Sequence, residues 1–237
     1  MKRQRIENRE QRRERAQVSG FRAQAGGFTI VELMIATGVF SVILMLCATG
    51  IIQVGRMFYK GTITDRTQDT ARLVVDDISQ SIQFGVSATN FWQTSSMSYA
   101  YDNDSVLVKS LCLGSVRYSY TTDRSLGSNT ATQSPHVLWK DRIASNSACT
   151  PLDITKSSPP NSSSDGIEML GDNMRLTSNF SVPYTTSTGL WNITVTVSYG
   201  DNDVFIDGSN YTQCIGSNNG GQFCASSTIN TQVVKRL

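Results

Sequence analysis

Glu32 is the only charged side chain in the apolar stretch of residues 28–55, FTIVELMIATGVFSVILMLCATGIIQVG. An Asp or Lys at the centre of a membrane-spanning helix costs roughly 2.5–3.5 kcal/mol, and less toward an end, so a lone carboxylate here asks for a partner or a task. Other groups with chemical potential are few. His136 is the only histidine, and no nucleophile motif of the G-x-S-x-G kind occurs, so a strand residue in SPHVLWK is expected and no enzyme. Of the five cysteines, Cys47 lies inside the apolar stretch and reads as a small apolar residue. The other four have no C-x-x-C spacing and only one histidine in the whole chain to join them, which argues against zinc and for disulfides. Four cysteines allow three pairings; the sequence neighbours, Cys112 with Cys149 and Cys214 with Cys224, are the expected ones. Their loops would contribute at most about 3.9 and about 2.8 kcal/mol in the chain-entropy account. Asp201, Asp203 and Asp207 in YGDNDVFIDG, like the acidic residues of YDNDS at 101–105, supply oxygen atoms of the kind calcium takes. Neither run has EF-hand spacing, and Asp-Asn runs after a strand form turns, so a turn is the preferred reading and no resident metal or cofactor is expected.

The elements that must position these groups begin with the apolar stretch itself. Residues 33–55 are 23 consecutive uncharged residues, which at 1.5 Å per residue cover the roughly 30 Å of a bilayer core. No small-residue cleavage site of the A-x-A kind follows, as a discarded secretory signal would require. Residues 1–27 carry eight basic side chains against three acidic, leaving thirteen basic and sixteen acidic elsewhere, so the basic balance is concentrated beside the apolar run. That placement reads as an orientation signal, with the basic end cytoplasmic and everything after Arg56 across the membrane. A disordered nucleic-acid-binding tail is the weaker alternative. The Arg pair in QRRER stands too far from the apolar run for a twin-arginine signal.

The sequence AGG followed by FTIVELMIA resembles the class III signal of type IV prepilins and of the related pseudopilins of type II secretion systems: glycine, an aromatic, threonine, two aliphatics, then glutamate. The resemblance covers residues 26–55. It implies cleavage by a membrane-embedded prepilin peptidase between Gly27 and Phe28, methylation of the new Phe28 amine, retention of the apolar helix, and a role for Glu32 in assembly. Two departures stand out. The leader of 27 residues is long, and the apolar helix lacks proline, so a melted segment of the kind found in pili would rely on Gly38, Gly50 or Gly55. Some pseudopilins also bind calcium near the C-terminus, which is what raises the aspartate run at 201–207 above an ordinary turn.

Beyond the membrane stretch the apolar period changes. Val74, Ile78 and Ile82 recur every four residues beside Ala71 and Val75, with Arg66, Asp69, Arg72, Asp76 and Asp77 between them, the pattern of an amphipathic helix. With no intervening proline, one helix from residue 28 to about Gly85 is expected. The remainder reads as β-structure. LWNITVTVSYG alternates Trp191, Ile193, Val195, Val197 and Tyr199 on one side with Asn192, Thr194, Thr196 and Ser198 on a side that should face water. SVLVKSLCL, SVRYSYT, HVLWK, GIEML and MRLTSNFSV are shorter candidates, and TKSSPPNSSSDG reads as a surface loop. The expected organisation is α+β: leader 1–27, membrane or fibre-core helix 28–55, amphipathic helix 56–85, and a β-rich exported domain 86–237, whose antiparallel sheet packs on the helix as the resemblance implies.

The function expected from the resemblance is structural: a subunit of a type IV pilus or a type II secretion-like filament, anchored as a single-pass precursor in the cytoplasmic membrane and then moved into a surface filament. Its partners would be other pilin subunits, the prepilin peptidase, the inner membrane and the assembly platform; nothing points to nucleic acid. The segment ARLVVDDISQSIQF and the size of the mature chain favour a minor subunit over a major one. Two alternatives stay open, a pilin-stalk adhesin with its ligand site in loops such as 214–224, and an ordinary single-span anchored protein.

Overall fold

In a computed structural model the chain is described over residues 28–85, 92–101, 104–127, 132–144, 147–156, 166–206, 208–216 and 220–236. The leader 1–27, Asp207 and most of the Ser/Pro loop lie outside these residues. The protein forms two compact units, Met1–Ile52 and Gln53–Leu237.

Helix α1, Ile30–Phe84, is 55 residues long and continuous through Gly38, Gly50 and Gly55. In its first part every side chain is exposed, and the segment is long and apolar enough to cross a membrane. Burial begins at Ile63 and then follows Thr67, Ala71, Val74, Val75, Ile78 and Ile82, the helical stripe that the spacing dictates. A backbone hydrogen bond from Gly85 to Ser81 closes the last turn.

The remaining elements are β1 (Trp92–Tyr101), β2 (Asp104–Leu113), β3 (Val116–Tyr120), β4 (Ser125–Leu126), β5 (Gln133–Ser134), β6 (Leu138–Arg142), β7 (Ile167–Glu168), β8 (Met174–Leu176), β9 (Tyr184–Thr185), β10 (Leu190–Tyr199) and β11 (Ala225–Val234). They form two sheets rather than one, in the orders β1-β2-β3-β6-β7 and β11-β10-β8-β4-β5, with β9 also pairing with β10. All these pairings are antiparallel except the two-residue pair β4–β5. The β2–β3 hairpin turns through two residues, and Gly114 at φ 65° supplies the left-handed conformation that such a tight turn needs.

Both sheets share one core with α1. Ala71, Val74, Ile78 and Ile82 meet Leu111, Leu113, Tyr118 and Leu138 from the first sheet and Leu176, Trp191, Ile193, Val195 and Val197 from the second. A polar cluster fixes α1 on the first sheet. The Tyr118 hydroxyl donates to Asp77 Oδ2 at 2.7 Å and lies 2.8 Å from Ser81 Oγ, while Lys140 pairs with Asp77 Oδ1. Burial beside that carboxylate pushes the Tyr118 hydroxyl well above the ordinary tyrosine range. Asp77, one of the residues set between the apolar positions, thus faces a lysine and a tyrosine on the neighbouring sheet.

Two sequence expectations are corrected. Thr196 and Ser198, assigned to the water side of β10, are buried, Ser198 against Tyr211 in the chain between β10 and β11 and Thr196 against Thr228 of β11. Ser198 Oγ donates to the Tyr211 carbonyl at 2.6 Å and lies within hydrogen-bond distance of Ser226 Oγ at 2.9 Å, and Thr196 and Thr228 share a hydroxyl hydrogen bond of 2.9 Å. His136 lies outside β6, two residues before its start, packed edge-on against Trp139 with Nδ1 3.5 Å from Glu168 Oε2.

Candidate functional site

At the start of α1, Thr29 and Glu32 form a reciprocal pair. Thr29 Oγ1 accepts from the Glu32 amide at 3.2 Å, and Glu32 Oε2 accepts from the Thr29 amide at 2.9 Å and from the Thr29 hydroxyl at 3.0 Å. This is a capping box, Thr-x-x-Glu, which satisfies donors that the first helical turn leaves without intrahelical partners. The carboxylate also sits where the positive end of the helix dipole favours it. Part of the answer to why Glu32 stands in an apolar run is therefore local: it starts the helix. The T-x-x-E spacing was visible in the sequence, and reading Glu32 as a membrane charge with a role in assembly passed over it. Phe28, directly before Thr29, is exposed; Gly27, the other half of the expected cleavage site, lies outside the described residues.

In the unit Gln53–Leu237 the disulfides join Cys112 to Cys149 and Cys214 to Cys224. The first ties the segment after β6 to β2, and a buried ion pair supports it. Arg117 Nε and Nη2 donate to the two oxygens of Asp141 at 2.9 and 2.6 Å, and Nη1 donates to the Thr150 carbonyl at 2.9 Å. A two-pronged pair of this kind fixes both geometry and charge. Ser110 Oγ adds a bond to the Cys149 carbonyl at 3.0 Å.

The second disulfide closes the segment that covers β10, and the group organising it is Arg175 on β8. Its side chain is fully buried. Nη2 donates to the Gly200 carbonyl and Nη1 to Asn202 Oδ1, both at 2.7 Å, and the guanidinium carbon lies 4.2 Å from the Tyr211 ring centre and 5.0 Å from that of Phe205. Burial lowers the guanidinium's pKa, while Tyr211, Asp201 and Asp123 oppose that shift. Gly200 has a φ of 132°, and a Cβ there would come within 2.7 Å of Val204 Cγ2, so the carbonyl can be presented to Arg175 only from a glycine.

These contacts bear on the aspartate run. Asp201 precedes a 3-10 turn, Asn202–Val204, with the Val204 amide donating to the Asp201 carbonyl at 3.3 Å; Asp203 is part of that turn and Asp207 lies outside the described residues. Two oxygens that a cation would use, Gly200 O and Asn202 Oδ1, are engaged by a permanent guanidinium cation instead. Among the described residues no group of three or more His, Cys, Asp or Glu is arranged to hold a metal ion. Arg175 was not singled out in the sequence, because an arginine in MRL carries no signal of its burial.

No family model, curated protein or solved structure matched the chain.

Proposed function

We propose that this chain is a structural subunit, of the minor class, of a type IV pilus or a related type II secretion filament: a single-pass precursor cut between Gly27 and Phe28, methylated at Phe28, and assembled through α1. The observation that carries this reading is the glutamate placed fifth after Gly27, at the capped start of a helix whose first part exposes apolar side chains on every face. Such a surface needs lipid or other apolar helices around it. The first test is the N-terminal residue of the protein in the membrane fraction. Phe28 is expected; Met1, or a cut elsewhere, sinks the reading in favour of an ordinary anchored protein. Gly27→Leu should leave an uncut precursor of higher mass.

In this reading Glu32 has a second task after cleavage, as the partner of a Phe28 amine on a neighbouring subunit, where an unpaired charge of either sign is unfavourable. The capping box makes that task separable from helix initiation. Glu32→Gln keeps a side chain that caps but removes the charge, and Thr29→Ala keeps the charge but removes the cap. Co-purification with the other pilins should be lost in Glu32→Gln and kept in Thr29→Ala. The reverse pattern would mean that Glu32 serves the helix alone.

A further inference from the structure

We propose that the groove between the β1–β2 face and residues 180–183 is a binding site for an acidic saccharide. The inference goes beyond the filament reading and does not depend on it.

The groove floor follows from strand register. Ser96 pairs with Lys109 and Lys109 with Tyr120, so the three stand in one row across β1, β2 and β3, with Thr94 two residues along on the same face of β1. The wall is formed by Phe180, Ser181, Val182 and Pro183, and the groove, open to solvent along one side, has a volume of about 490 Å³, within the range of small-ligand sites. Tyr120 and Phe180 meet edge to face with ring centres 4.6 Å apart and join wall to floor.

The lining chemistry narrows the ligand. The hydroxyls of Thr94, Ser96 and Ser181 make no hydrogen bond within the described residues, so they are available to the alternating donors and acceptors of a sugar. Pro183 is the exposed apolar residue that a sugar's C–H face could meet, and Val182, Phe180 and Tyr120, largely buried, show only their edges to the groove. Among the described residues Lys109 is the one cation in the lining, and its amine has no carboxylate within ion-pair distance. Asp123 is the acid whose field reaches it. Among the described lining residues, the lack of a carboxylate does not suit a metal ion, a single lysine does not suit the repeated phosphates of nucleic acid, and free hydroxyls do not suit a wholly apolar ligand. A sugar carrying one carboxylate uses each group once.

The test uses the full-length protein in detergent micelles, titrated calorimetrically with trigalacturonate and with sialyllactose, and with galactotriose and lactose as the neutral counterparts. Saturable binding of at least one acidic probe is expected, about tenfold or more tighter than its neutral counterpart. Lys109→Gln should bring the acidic probe to the neutral level, and Ser96→Trp, which fills the groove from an exposed strand position, should abolish both. Both variants should keep the disulfides and the wild-type melting temperature, because neither residue is buried. Absence of saturable binding of all four probes, equal binding of acidic and neutral sugars, or wild-type binding by either variant would overturn the proposal.

Discussion

The two ends of α1 share one backbone but not one composition: the first stretch is the richer in apolar residues, yet it is the second that the rest of the chain covers. From Ile30 to Gly61 every side chain is exposed, including Leu33, Ile43, Leu46 and Ile51; from Ile63 to Ile82 a stripe of seven residues is buried under two sheets. In the second stretch charged residues fill the remaining faces, so water is an acceptable solvent there. In the first they are absent apart from Glu32, Arg56 and Lys60, and about 25 cal/mol of unfavourable free energy attaches to each Å² of apolar surface left in water. The contrast teaches that apolar content alone does not say where a core lies. Period does: an all-round apolar helix finds its cover outside the chain, and a striped one finds it within.

The largest expected effect breaks this contrast if it fails. Ile78→Ala, at a fully buried position, should cost about 2–5 kcal/mol, whereas Ile43→Ala in the exposed stretch should change stability by less than about 0.5 kcal/mol. Thermal unfolding of the full-length protein in detergent measures both, and equal losses would mean that the two stretches are not covered differently. Removing Cys112 and Cys149 together by serine should cost up to about 3.9 kcal/mol, against up to about 2.8 for Cys214 and Cys224, because the longer loop constrains the unfolded chain more. Urea titration of the two double variants gives the order. A reversed order would show that the Arg175 contacts collapse once the second disulfide is gone.

Alkaline pH offers a third comparison, since only the packed unit holds buried phenols. Burial pushes the Tyr120 hydroxyl up to about 12 from the unfolded value near 10. The folded state keeps a proton that the unfolded chain releases, so this contribution is complete below pH 10 and is lost as the pH rises to about 12. Tyr120→Phe should flatten the fall in stability across that window without removing it, because Tyr118 is shifted in the same direction. An unchanged slope would show that the Tyr120 hydroxyl is solvated in the native state. The smallest effect is Thr29→Ala, worth about 0.5–2 kcal/mol to the first turn of α1. It should appear as faster amide hydrogen exchange in the first helical turns, with no change in the melting temperature of the unit Gln53–Leu237. A lower melting temperature would couple the two stretches that the comparison separates.

Legibility in the sequence tracked how strongly one face of an element differs from the other. The α1 stripe was legible because charges separate its apolar positions, and β10 because five large apolar residues alternate with small polar ones. Strands β1, WQTSSMSYAY, and β11, ASSTINTQVV, passed unread, since serine, threonine and glutamine on both faces give no alternation to detect. Each is held by ten consecutive backbone pairings to a better-marked neighbour, β1 to β2 and β11 to β10. MRLTSNFSV, read as one candidate, is a strand from Met174 to Leu176, then a turn and a single bridge at Ser181, and GIEML is a strand only at Ile167 and Glu168, because only those residues pair with β10 and β6.

By itself the sequence determined the α+β division, the unbroken helix with its change of period, and the choice of neighbouring cysteines as the expected partners. These depend on local spacing, on the absence of proline and on loop lengths, which a chain carries before it folds. Only the tertiary structure decided that the strands form two sheets on one helix, that Thr196 and Ser198 are buried instead of facing water, and that Arg175 holds Gly200, Asn202 and Tyr211 together. It also decided the row Ser96–Lys109–Tyr120 beneath Phe180. Those arrangements join residues far apart along the chain through backbone hydrogen bonds and fixed register, and neither is encoded in the periodicity of any single segment.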